Sequence, residues 1–104
     1  MLIEPGARPE PLRAAGAIVG GFPEARFQTT RRTLAPGSGL YVLSDGVYEL
    51  ARPDGSMVQF EDFTAHLASA APDARLDSIL NWAQAVRGGA KFEDDVSLLE
   101  LQFT

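Results

Sequence analysis

Residues 39–50 read GLYVLSDGVYEL, an apolar run that ends in Ser-Asp-Gly. Four apolar residues in succession, 40–43, predict a strand in the middle of a sheet and covered on both faces. Asp45 stands at the end of this strand, and Gly46 gives the backbone freedom to turn sharply there. We therefore expect a carboxylate at the rim of the sheet.

Other stretches with strand character lie on both sides of this run. Leu2–Ile3 are typical of the tail of a strand, and the Thr-rich residues 26–34 have strand propensity with one face in water. A last strand is predicted over Val96–Phe103, where the residue types alternate between two faces.

Two helices are predicted between the central strand and the last one. Apolar side chains recur at helical spacing over residues 60–67 and again over residues 76–86. Asp73 is a candidate N-cap for the second helix, and Gly88-Gly89 would end it. The order of elements predicts an α+β fold, a mostly antiparallel sheet with two helices on one face.

Length and composition limit the classes of function. The chain has 104 residues, enough for a single domain or a fragment of one, and its net charge of -5 argues against a nucleic-acid partner. It has no Cys, no apolar run of membrane-spanning length and no signal-peptide pattern, so we expect no membrane association and a cytoplasmic location.

Acidic residues occupy two corners of the predicted sheet. Asp45 follows the central strand, while Asp94 and Asp95 precede the last one. If these strands are antiparallel neighbours, Asp45 and Asp94 meet at one edge, where two carboxylates repel each other unless a cation lies between them. Oxygen ligands without His or Cys suit Mg²⁺ or Mn²⁺.

A plain turn is the alternative interpretation of Asp45, because Asp-Gly is common in hairpins. Asp54-Gly55 has the same dipeptide without an apolar run before it, and we predict a turn with no chemistry there. His66, the only histidine, is expected to be a partly exposed helix residue.

The segment LAPGSGLYVLSDGVYELARPDGS, followed by two predicted helices and EDDVSLLELQF, carries a family resemblance. It resembles the C-terminal half of PPM-type metal-dependent protein serine/threonine phosphatases, in the SpoIIE-like and sigma-regulator branch. The resemblance implies that residues 1–104 form the C-terminal part of an α-β-β-α sandwich.

The same resemblance implies a binuclear Mn²⁺ or Mg²⁺ centre that activates water for phosphoprotein hydrolysis. Asp45 and Gly46 match the metal-binding Asp-Gly motif, and Asp94 matches the last metal-binding aspartate, whereas Asp95 matches a supporting or turn position. Tyr48 departs from the usual Thr. The family's upstream half, with a Gly-His-Gly segment and the remaining ligands, is absent, so we expect weak or absent metal binding, no catalytic residue and a silent fragment.

Two functions remain open. In the first, the chain is part of a bacterial hydrolase whose partner is a phosphoprotein such as an anti-sigma-factor antagonist. Alternatively, it is a non-catalytic phosphatase-like module for binding or dimerisation, with its sheet edges paired to a second copy.

Overall fold

A three-stranded antiparallel sheet organises this chain in the computed structural model, which describes residues 1–12, 20–89, 91–92 and 94–104. The central strand is flanked by a very short strand and by the last strand of the chain. The strands, in their order across the sheet, are β1 (Leu2–Ile3), β2 (Gly39–Leu43) and β3 (Leu98–Gln102).

The register of β2 and β3 places the two acidic corners at the same end of these strands. Leu43 pairs with Leu98 at that end, and Gly39 pairs with Gln102 at the opposite end. The chain therefore leaves β2 and enters β3 at the same end of the sheet. The predicted antiparallel neighbours are confirmed, although β3 is shorter than the predicted 96–103.

The two faces of the sheet are covered unequally. Tyr41 is 2% exposed and packs into the main core, whereas its neighbour Val42 is 53% exposed. The prediction that β2 is covered on both faces is therefore wrong. Residues of β2 alternate between the faces, and the described residues bring both helices to one face only. We call the exposed apolar side, formed by Val42, Leu99 and Leu101, the outer face.

Two helices, α1 (Phe60–Ser69) and α2 (Arg75–Val86), cover the other face, as predicted. Gln59 caps α1 in a reciprocal capping box, with its backbone N–H donating to the Asp62 carboxylate at 3.1 Å. The Asp73 prediction is wrong, because Ala74 is the N-cap of α2 and no side chain bonds there. Gly88 and Gly89 follow α2 with positive φ, which confirms the predicted helix end.

The hydrophobic core joins the helix face of the sheet to α1 and α2. A smaller cluster lies beside it, around Leu50, Val58 and Ala83. Burial of these side chains supplies most of the driving force for folding. The buried members of the main core are Ile3, Tyr41, Val47, Phe63, Leu67 and Ile79.

Residues 26–34 do not form the predicted strand. They are almost all exposed, with an isolated bridge at Phe27, and Phe27 itself is 53% exposed. This Thr- and Arg-rich stretch offers few apolar side chains, so pairing would bury too little surface to offset the entropy of ordering it. An ion pair between Arg32 and Glu10 ties it to the start of the chain. Ala17-Ile18-Val19, whose apolar sequence predicts a further short extended piece, lies outside the described residues.

In the part of the chain that the structure describes, neither α1 nor α2 is long and apolar enough to cross a membrane.

Candidate metal site at the two acidic corners

A single 3₁₀ turn, Asp45–Val47, follows β2 and carries the first acidic corner. The Asp45 carbonyl accepts hydrogen bonds from the N–H groups of Tyr48 at 3.1 Å and Glu49 at 2.7 Å. Val47 is fully buried in the main core, which anchors the turn. The Asp45 side chain remains exposed at the rim of the sheet.

The second acidic corner lies directly against this turn. A β-carbon on Gly46 would stand 2.4 Å from the carbonyl oxygen of Asp95 and 3.4 Å from the β-carbon of Asp94. Gly46 does not have a positive φ. Glycine is therefore required here for the close approach of another backbone, rather than for the sharp turn that the sequence suggested.

A small cleft, about 10 Å³ in volume, opens beside Gly46 and Asp94. Glu49 and Arg87 also line it, whereas Asp45 does not. The structure thus brings Asp94 next to the residue that follows Asp45. Convergence of the two carboxylates on one cation stays a prediction.

Arg87 and Glu49 line the cleft of the candidate site, and the sequence analysis did not identify them. Arg87 follows α2, and its guanidinium donates to the carbonyl of Ala51 at 3.1 Å and to that of Lys91 at 2.9 Å. These bonds fasten the loop that leads to Asp94 onto the segment that follows the 3₁₀ turn. The short distance of Glu49 from Asp45, four residues along the sequence, could have indicated that Glu49 lies near the site. No pattern in the sequence around Arg87 indicates that Arg87 lies there.

Ser44 joins the two corners through its hydroxyl group. This hydroxyl donates to the Asp95 carbonyl at 3.1 Å and accepts the Ser97 N–H at 2.9 Å. The Ser44 N–H donates in turn to the Ser97 carbonyl at 2.9 Å. Three hydrogen bonds therefore fix the distance between the end of β2 and the start of β3.

The remaining candidates have the structural roles that were predicted. Asp54 accepts hydrogen bonds from the Ser56 hydroxyl at 2.6 Å and the Ser56 N–H at 2.9 Å, which hold the pKa of Asp54 below its ordinary value. His66 is half-buried, lies 2.9 Å from the Ser78 hydroxyl and stacks on Trp82. Asp54-Gly55 is a turn, and His66 is a partly exposed helix residue.

The acidic corners offer the type of ligand atom, carboxylate oxygen, that a hard divalent cation prefers. Asp45, Asp94 and Glu49, which lines the cleft beside Asp94, offer carboxylate oxygens, the ligands that Mg²⁺ and Mn²⁺ favour. Among the described residues, however, no three His, Cys, Asp or Glu side chains are grouped closely enough to hold a metal ion. The described residues therefore supply ligands of a suitable type but no complete metal site.

Comparison with known proteins identifies the family. The family model described as Stage II sporulation protein E (SpoIIE) matches residues 1–104, so the chain belongs to the SpoIIE family. Searches of curated proteins and of solved structures gave no match. The chain is thus a phosphatase-related signalling module with an α+β fold.

Proposed function

We propose that this chain is the C-terminal half of a Mn²⁺- or Mg²⁺-dependent protein serine/threonine phosphatase domain that acts in bacterial signalling. The substrate of the complete domain is a phosphoprotein such as an anti-sigma-factor antagonist, in the cytoplasm. The chain by itself is catalytically silent, because it holds one side of the metal centre.

The contact between the acidic corners carries this proposal. Gly46 admits the Asp95 carbonyl where a β-carbon would collide with it, and Asp94 lies beside Gly46. An ordinary hairpin turn does not require a second chain segment at this distance. Both corners lie within residues 1–104, the range that the family model matches.

The acidic residues have distinct tasks in the proposed site. Asp45 holds a cation from the end of β2, and Asp94 holds it from the loop before β3. A divalent ion bound there would lower the pKa of a water molecule and neutralise the charge of a phosphate group. Asp95 contributes through its carbonyl, which accepts the Ser44 hydroxyl hydrogen bond and keeps the corners together.

The outer face of the sheet supports the proposal that this is half of a sandwich. Val42 and Leu99 are each 53% exposed and Leu101 is 41% exposed, on strands that pair directly. An apolar surface of this kind on a sheet normally packs against another layer. A second sheet from the upstream half of the domain would cover it.

Titration with Mn²⁺ tests the site. Paramagnetic broadening of backbone amide signals should appear first around Asp45 and Asp94, and it should be lost in Asp45→Asn and in Asp94→Asn. Asp54→Asn is the matched control, because it changes the same Asp-Gly dipeptide in a surface turn. Equal broadening in all three variants, or none in the unchanged chain, would contradict the proposed site.

Hydrolysis of a small aryl phosphate with Mn²⁺ tests the predicted silence. We expect the chain and its Asp45→Asn variant to give the same background rate. A rate that exceeds this background and disappears in Asp45→Asn would show that the chain is an enzyme on its own.

A non-catalytic binding or dimerisation module is the second candidate. The exposed outer face favours it, together with the absence, among the described residues, of three grouped metal-ligating side chains. The outer edge of β3 has no strand beside it in the described sheet, so a second copy would pair there. Light scattering that shows a dimer, with no Mn²⁺-dependent broadening, would favour this candidate over the phosphatase half.

A further inference from the structure

The hydrogen bonds between Ser44 and Ser97 depart from those of a regular antiparallel pair. In a regular hydrogen-bonded pair, each residue's N–H donates to the carbonyl of the other. Here the Ser44 N–H donates to the Ser97 carbonyl at 2.9 Å, but the Ser97 N–H donates to the Ser44 hydroxyl at 2.9 Å. A side chain has replaced a backbone carbonyl in the ladder.

The 3₁₀ turn explains why that carbonyl is replaced. The Ser44 carbonyl accepts the N–H of Val47 at 3.2 Å, which begins the turn that carries Asp45. Ser44 is also the N-cap of this turn, yet its hydroxyl makes no capping bond. The hydroxyl is instead directed across to the segment before β3, where it donates to the Asp95 carbonyl and accepts the Ser97 N–H.

We propose that Ser44 is the positioning residue of the metal site, because its hydroxyl joins the turn that carries Asp45 to the segment that carries Asp94. This role rests on the proposed function of the two aspartates. Ser44 does not touch the reacting atoms. It sets the separation of the two corners by accepting one hydrogen bond and donating another.

A short hydroxyl side chain can both donate to the Asp95 carbonyl and accept the Ser97 N–H. Alanine would leave the Ser97 N–H and the Asp95 carbonyl without this partner, and each would turn to water. Threonine keeps the hydroxyl on the same carbon, and the extended backbone of Ser44, with φ -81 and ψ 160, suits a β-branched side chain.

Three variants of the chain test the proposal with two measurements. The first measurement is amide hydrogen exchange at Ser97 without metal, and the second is Mn²⁺ affinity from amide broadening. Ser44→Ala should speed exchange at Ser97 several-fold and weaken Mn²⁺ binding about 10-fold, as is typical when a group that supports a ligand is lost. Ser44→Thr should leave the Ser97 exchange rate and the Mn²⁺ affinity at the values of the unchanged chain. Ser56→Ala, which removes a hydroxyl from the Asp54-Gly55 turn, should change neither.

The outcomes separate this inference from the proposed function. Binding by the unchanged chain that persists fully in Ser44→Ala would overturn the positioning role and leave the aspartates as ligands. Unchanged exchange at Ser97 in Ser44→Ala would overturn it as well. A chain that binds no Mn²⁺ at all would overturn the proposed metal site, and the positioning role with it.

Discussion

The backbone at Gly46 contacts the backbone at Asp95 so closely that a β-carbon on Gly46 would lie 2.4 Å from the Asp95 carbonyl oxygen. Two segments that are far apart in the sequence are therefore held together at the rim of the sheet without intervening side chains. The acidic site depends on this contact, since Asp45 precedes Gly46 and Asp94 precedes Asp95.

Substitution of Gly46 by alanine should separate the two corners. The new methyl group would clash with the Asp95 carbonyl oxygen, a backbone atom that cannot move aside as a side chain can. We therefore expect Gly46→Ala to lower the free energy of unfolding by about 2 kcal/mol. Urea denaturation measures this loss, and the amide signals of Asp94 and Asp95 should shift.

Gly55→Ala is the matched control for this change. Gly55 has a φ of 88°, but no atom lies within 4 Å of its β-carbon position. Backbone strain alone should cost about 1 kcal/mol, with no shift at Asp94. A Gly46→Ala variant that is no less stable than Gly55→Ala, with unshifted signals at the corners, would contradict the close contact.

Loss of the Arg87 guanidinium should loosen the loop before Asp94. Arg87→Met keeps the length of the side chain but removes the donors to the carbonyls of Ala51 and Lys91, so we expect a loss of about 2 kcal/mol in the free energy of unfolding. Arg31 is exposed, and Arg31→Met should stay within about 0.5 kcal/mol of the unchanged chain. Thermal or urea unfolding of both variants measures these changes, and equal stabilities of the two variants would refute the role of Arg87.

Neighbouring leucines on β3 test the assignment of the two faces of the sheet. Leu98 packs against the main core, whereas Leu99 belongs to the outer face. Leu98→Lys should cost about 3 kcal/mol, because it removes an apolar contact and places a charge beside the core. Leu99→Lys should change the stability by no more than about 0.5 kcal/mol. A reversed order in denaturant titrations would mean that the faces are exchanged.

Stability should depend on alkaline pH through Tyr41. Burial raises the pKa of Tyr41, and so does its hydroxyl hydrogen bond to the Glu100 carboxylate, 2.7 Å away. The folded state therefore holds this proton more tightly than the unfolded chain. The stabilisation is complete below the ordinary tyrosine pKa of about 10 and is lost as pH rises above it.

Unfolding measured between neutral and strongly alkaline pH checks this dependence. Stability should fall above about pH 10 in the unchanged chain, with a smaller fall in Tyr41→Phe. Tyr48→Phe is the matched control, since it removes a phenol without touching Glu100. Identical pH profiles for the unchanged chain and Tyr41→Phe would rule out the effect.

Local patterns in the sequence were sufficient to predict the main elements of the fold. The apolar run at 40–43 predicted β2, and helical spacing of apolar residues predicted α1 and α2, because each pattern reports which side of an element is buried. The exposure of Val42 was not predictable in this way. An apolar side chain looks the same in a sequence whether or not another layer covers it.

The sequence was sufficient to predict that the backbone segments of the two acidic corners lie side by side. Strand order placed Asp45 and Asp94 at the same edge, and the structure has them on adjoining segments. The hydroxyl bridge of Ser44 and the guanidinium bonds of Arg87 were not predictable, because both depend on the paths of loops. Such paths are set by tertiary contacts rather than by local propensity.

Synthesis of the protein proceeds from β2 to β3, and this order has a consequence for the nascent chain. The hydrogen-bonded pair Tyr41 and Glu100 is separated by 59 positions, with both helices in between. While the ribosome is still translating the helices, β2 has one edge without its partner, and the turn that carries Asp45 faces solvent. Contacts this distant in sequence form late in folding. The edge of β2 that pairs with β3 therefore stays unpaired until the last strand has left the ribosome.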